Sequence, residues 1–184
     1  MKVIFGLGNP ERCYRDTRHN IGIMVIEELA RQQSIRLRSS RFDAAVGKVA
    51  GVGEPVWIVR SSVNMNCSGQ PLLGITRKTG VSPAEILVIC DDFNIDLGRM
   101  RFRRRGSSGG HRGLESIASC LGTEDFPRLR VGIGPMDMHD AVPFVLGNFL
   151  EDQWSIVKPI VIEAARGAWL WAIEGIEPCM NRHN

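Results

Sequence analysis

The chain has one tyrosine, Tyr14, and its five cysteines never come as a CxxC pair. Cys13, Cys67, Cys90, Cys120 and Cys179 are odd in number and scattered, which is not the pattern of a disulfide framework or a zinc site. Reduced thiols are expected. No His, Cys and Asp residues cluster at metal-ligand spacing, so no metal and no cofactor are expected. No apolar run reaches the roughly 18 residues of a membrane-spanning helix. The opening Met1-Lys2-Val3-Ile4-Phe5 has no signal-peptide layout. A cytoplasmic location without a membrane partner is therefore expected. With no internal repeat, low-complexity tract or linker, residues 1–184 read as one domain.

Two nucleotide-binding signatures are also missing. Gly6-Leu7-Gly8-Asn9-Pro10-Glu11 has Glu11 where a dinucleotide fingerprint needs its third glycine. The glycine-rich loop Gly106 to Gly110 is not followed by the Lys-Ser/Thr of a phosphate-binding P-loop. Both gaps argue against a Rossmann dehydrogenase and an NTPase.

What is present is an alternation of short apolar runs with helical periodicities, the pattern of an α/β sheet. Val3-Ile4-Phe5 reads as a buried strand, and Ile21, Met24, Val25 and Leu29 give one helix face. β segments are predicted over 42–52 and 56–59, a helix over 68–78 stopped by Gly80, and a strand at Ile86 to Ile89, parallel to the first and ending at Cys90-Asp91-Asp92. Arg99 to Arg104 alternates charged with apolar residues, as a strand with its arginines on an open face. Leu114, Ile117, Ala118 and Leu121 predict a second amphipathic helix, and Leu129 to Ile133 another strand. The tail from Glu151 to Ile173 reads as helix, broken or kinked at Pro159 and packed by Trp154, Trp169 and Trp171. The fold expected is a single-domain mixed, mostly parallel twisted sheet flanked by helices.

Net charge is +3 but unevenly spread. Residues 99–130 hold eight arginines against three acids, so this segment carries +5 and the rest −2. A basic patch on a near-neutral chain suits a polyanionic partner, and equally a solvated strand face.

Three polar clusters fall at strand ends or in the loops beyond them: Asn9 with His19, Met65 with Asn66, and Cys90-Asp91 with His111. Open α/β sheets gather such ends in one crevice. A histidine, an aspartate and two amides, without a paired serine or a metal, suit hydrolysis by activated water. His takes the proton, Asp orients the ring, and the amides bind the carbonyl and its developing oxyanion. Taken singly, each also has a bland reading: Asn9 as a turn residue, Asp91 as a loop cap, His19 as a structural histidine.

In order along the chain, Gly6-Leu7-Gly8-Asn9-Pro10, Tyr14, Thr17-Arg18-His19-Asn20, Met65-Asn66-Cys67-Ser68-Gly69, Asp91-Asp92, Gly109-Gly110-His111-Arg112-Gly113-Leu114, Arg130-Val131-Gly132-Ile133-Gly134 and Val145-Leu146-Gly147-Asn148-Phe149 resemble the bacterial peptidyl-tRNA hydrolase family. The resemblance implies a monomeric α/β enzyme without a metal. Its substrate would be the ester between a peptide and the tRNA 3′ end, gripped at the acceptor arm. It implies His19 as the base, Asp91 as its carboxylate partner, and Asn9 and Asn66 as substrate-positioning amides. Asn66 would be the oxyanion donor. It implies Met65 and Tyr14 as walls of the site, His111 and Arg112 as substrate contacts, and Arg101, Arg103 and Arg130 as phosphate contacts. A non-catalytic RNA-binding relative of the same fold is the alternative. The chain departs from the family's usual residues at Glu11 (usually Gly), Asn64 (usually aromatic), Cys90 (often His), Arg112 (usually Asn) and Pro135 (usually basic).

Overall fold

The computed structural model describes residues 1–50, 53–135 and 141–184. Seven strands form one sheet: β1 (Lys2–Gly6), β2 (Arg38–Ser39), β3 (Ala44–Val49), β4 (Val56–Ser61), β5 (Ile86–Asp96), β6 (Met100–Arg103) and β7 (Arg128–Gly134). Their order is β2-β3-β4-β1-β5-β7-β6. The central four, β4, β1, β5 and β7, are parallel to one another. The outer pairings β2–β3, β3–β4 and β6–β7 are antiparallel.

Among the described residues, six α-helices flank the sheet: α1 (Ile21–Gln32), α2 (Gly69–Thr79), α3 (Arg112–Leu121), α4 (Ala141–Leu146), α5 (Trp154–Glu174) and α6 (Ile176–His183). Strand alternation sends Ile4, Ile58, Leu87, Ile89, Phe102 and Leu129 to one face, where they pack with α1, α5 and α6. Val3, Phe5, Val59, Ile86 and Val88 point to the other face, toward Leu72 and Ile75 of α2 and Leu114 and Ile117 of α3. Burial on both faces explains why the central strands read as continuous apolar runs. Trp171 is buried, and Trp154 and Trp169 pack against the same core. Among the described residues, no helix is long and apolar enough to cross a membrane.

Gly80 and Gly122 end α2 and α3 in the left-handed conformation, the first as predicted. Three elements differ from expectation. β5 continues to Asp96, so Asp91 and Asp92 lie within the strand, opposite Val131 and Gly132 of β7, instead of in a loop beyond it. The tail helix is not broken at Pro159. Pro159 is exposed in the second turn of α5, and the helix runs on to Gly175, after which α6 begins. The predicted β segment 42–52 is β3 over Ala44–Val49, and its residues 51 and 52 lie outside the described ones. β6 is an edge strand, and the side-chain amide of Asn184 occupies its open side. Phe102 N donates to Asn184 Oδ1 at 2.8 Å, and Asn184 Nδ2 donates to Phe102 O at 3.0 Å.

Close approach of α1 to the strand ends positions the site. A Cβ at Gly22 would lie 2.5 Å from Ile89 O and 2.6 Å from Leu7 O, so only glycine lets the helix sit this low. His19, just before α1, is thereby brought beside Asp91, just past Ile89.

Candidate active site

A cleft of about 340 Å³ opens over the carboxyl ends of β1 and β4 and the second half of β5, Asp91 to Asn94. Asn9, Tyr14, His19, Met65, Asn66, Asp91, His111, Arg112 and Arg130 all line it. Arg101 and Arg103 do not; they stand outside on β6, the first exposed and the second half-buried.

Asp91 is buried at the centre, 4% exposed. Its Oδ1 lies 2.8 Å from His19 Nδ1 and 3.0 Å from His111 Nε2. The backbone fixes the tautomer of His111. As the N-cap of α3, its Nδ1 accepts from Gly113 N at 3.1 Å and Leu114 N at 3.4 Å. An acceptor at Nδ1 places the proton on Nε2, which therefore donates to Asp91. Burial alone would push the Asp91 carboxyl upward. The two imidazoles outweigh it by charge and hydrogen bonding, and the carboxyl titrates well below its usual range. An ionised Asp91 accepts from His19 Nδ1–H, and the second nitrogen of His19, Nε2, is left as an acceptor. This arrangement can take a proton from a water in the cleft and stabilise the resulting imidazolium.

His19, Asp91 and His111 also offer three metal-capable atoms within 4.8 Å of one another. Both facing nitrogens already sit at hydrogen-bond distance from the same oxygen, however, and His111 Nδ1 is engaged by backbone N–H groups. With these contacts the three side chains can relay a proton.

The amides are held from behind. Asn20 Oδ1 accepts from Asn9 N at 2.8 Å, and Asn20 Nδ2 donates to Asn9 O at 2.9 Å. Asn9 Oδ1 accepts from Met65 N at 2.9 Å, which joins the β1 loop to the turn Met65–Cys67. Asn9 Nδ2 has no partner among the described residues. Asn66, on that same turn, is exposed. Met65 is buried against α3, where a Cβ at Gly113 would lie 2.5 Å from Met65 Sδ. Tyr14 is half-buried, and its carbonyl accepts from Thr17 Oγ1 at 2.8 Å.

Asn20 and Arg18 have structural roles that sequence reasoning passed over, although both belong to the quoted Thr17-Arg18-His19-Asn20 motif. Arg18 is buried between the rings of Phe144 and Phe149, 4.4 and 5.5 Å from their centroids, and Arg18 Nη1 donates to Phe144 O at 3.3 Å. It ties the His19 segment to α4. That helix carries Val142 and Leu146 on the cleft wall and was missed because its six residues are too few for a periodicity.

The arginines form a cross-strand array. Arg101 stands opposite Arg130, and Arg103 opposite Arg128. The inner pair is engaged. Arg130 bonds Asp92 Oδ2 at 3.0 Å and Ser107 O at 2.9 Å, and Arg128 bonds Ser107 O at 2.7 Å and Glu124 O at 3.1 Å. These bonds anchor the base of the glycine-rich loop. Arg101 and Arg103 have no acidic partner among the described residues.

The peptidyl-tRNA hydrolase family profile matches residues 3–184. The chain belongs to the peptidyl-tRNA hydrolase family. It is similar to the peptidyl-tRNA hydrolase of Chlorobium phaeobacteroides, 42% identical over all of this chain and 98% of the relative. It is 43% identical to that of Moorella thermoacetica, over 99% of this chain and 97% of the relative. The crystal structure of the Acinetobacter baumannii peptidyl-tRNA hydrolase superposes with a TM-score of 0.91 at 30% identity, covering 99% of this chain and 93% of that one. The family and its α/β fold are therefore those the resemblance implied.

Proposed function

We propose that this chain hydrolyses the ester between a peptide, or an N-blocked aminoacyl group, and the 3′ end of tRNA. Membership of the family supports the activity. The observation that carries the mechanism is the convergence of two imidazoles on one buried Asp91 oxygen, which leaves His19 Nε2 free to accept a proton in the cleft. His19 is the general base for water, and Asp91 orients it and stabilises the imidazolium. His111 holds Asp91 ionised. Asn9 and Asn66 position the ester carbonyl, with Asn66 donating to the oxyanion. Met65 and Tyr14 shape the walls, and Arg112 is a donor facing the substrate. Arg101 and Arg103 take phosphates of the acceptor arm, whereas Arg130 assists by holding the loop in place. Phosphate contacts supply affinity without reading sequence, which suits a substrate class with many tRNA bodies. The free cysteines fit a reducing, cytoplasmic setting. We read the chain as a monomeric single domain.

Release of an N-acetyl-aminoacyl group from tRNA by wild type and by His19→Ala, side by side, tests the reading. The variant should lose roughly 10²- to 10⁴-fold, the range of a positioned general base. A folded wild type that binds tRNA without cleaving it would overturn the hydrolase in favour of a binding protein.

A further inference from the structure

Among the described residues, five with formal charges line the cleft: Glu11, Asp91, Asp92, Arg112 and Arg130. Asp91 is occupied by His19 and His111, and Asp92 pairs with Arg130. Among the described residues, two charges are left without an opposite partner: the carboxylate of Glu11 and the guanidinium of Arg112. Glu11 is exposed and held by a neutral group, since Asn64 Nδ2 donates to Glu11 Oε1 at 2.7 Å and Oε2 at 3.2 Å in the amide orientation that satisfies both side chains. Glu11 also lines a second cavity, together with the neighbouring Arg12 and Arg15, and among the described residues it forms no ion pair with either.

Glu11 and Asn64 belong to the loops after β1 and β4, whereas Arg101 and Arg103, the arginines assigned to phosphate, are on β6, three strands from β1. At about 4.8 Å per strand this is about 15 Å. Phosphates held by Arg101 and Arg103 lie away from Glu11, which stands two residues from Asn9 and is bonded to Asn64, two residues from Asn66, the two amides assigned to the ester carbonyl. The acyl group is thereby placed near Glu11, where a basic side chain would supply the counter-charge.

Resting on the function proposed above, we propose that Glu11, held by Asn64, is a specificity-determining residue. It favours acyl groups that carry a cation close to the ester. One tRNA body would be charged with N-acetyl-lysine or with N-acetyl-(Nε-acetyl)lysine, which differ by one acetyl group that removes the side-chain charge. The ratio of their kcat/KM values cancels differences in tRNA binding. Wild type should prefer the lysyl ester by about fivefold at low salt, the order of an exposed pair about 4 Å apart in water. The ratio should fall to about one in Glu11→Gln, which keeps an acceptor for Asn64, and also at high salt in wild type. A wild-type ratio near one, or an unchanged ratio in Glu11→Gln, would overturn the assignment, as would equal losses on both esters with the ratio retained. Failure of wild type to cleave either ester would instead sink the hydrolase reading itself.

Discussion

Replacing Asp91 with asparagine should disable the chemical step while preserving the shape of the site. Proton transfer to His19 creates an imidazolium whose Nδ1 lies 2.8 Å from Asp91 Oδ1. For charge centres about 4 Å apart at an effective dielectric of about 20, their attraction is about 4 kcal/mol. At about 1.4 kcal/mol per factor of ten, its loss corresponds to ~10³ in rate. The asparagine amide can also donate to His19 and invert its tautomer, which acts in the same direction. Single-turnover hydrolysis at saturating enzyme reads this step directly, and binding of tRNA should be unaffected. Since His19 and Asp91 act as a unit, the double variant should be scarcely worse than His19→Ala. A loss under about fivefold for Asp91→Asn would refute the assignment of Asp91 as the group stabilising the imidazolium. Stability gives a second test with a defined sign. A carboxyl lowered from its ordinary 3.8 by folding contributes stability above that pH and loses it as pH falls toward the native value. The stability gap between wild type and Asp91→Asn should therefore narrow in acid below about pH 3.8. A gap constant from neutral pH to about pH 3 would contradict the lowered carboxyl.

Arg101→Ala with Arg103→Ala should weaken tRNA binding and flatten the plot of log affinity against log salt by roughly one to two units, with little change in single-turnover rate once bound. An unchanged slope would remove both from the phosphate contacts. Thiol reagents should label exposed Cys13 quickly and leave Cys90 and Cys179 unlabelled in the native protein, because burial pushes their thiols up to about 12 and about 11. Rapid native labelling of Cys90 would mean that β5 opens locally.

The sheet core was legible because Val3-Ile4-Phe5 and Ile86 to Ile89 are buried on both faces and contain nothing polar. The remainder of β5 was not, since Asp91 and Asp92 interrupt the apolar run. Their burial depends on His19, His111 and Arg130, partners remote in sequence, and their ladder bonds come from β7. Pro159 misled because the helix continues through it on an exposed face, giving up the one bond to the Ser155 carbonyl. The polar clusters could be gathered into one crevice by the rule for strand ends, but the tautomer of His111 is set by the backbone of α3 and cannot be read from spacing. Nor does charge pattern separate Arg130, which is bonded, from Arg101, which is not.

If Arg101 and Arg103 take phosphates as proposed, the arginine array couples ligand binding to the integrity of the sheet. Like charges set directly across a ladder push its strands apart. Here two such pairs lie between β6 and β7, and β6 has no other strand beside it. Carbonyls and Asp92 engage Arg128 and Arg130, and the Asn184 amide bonds the outer side of β6. A strand of phosphates laid over Arg101 and Arg103 would supply the missing counterions. The tRNA would then be a structural ligand as well as a substrate, tightening the border it lands on, and release of product would return that border to its looser state.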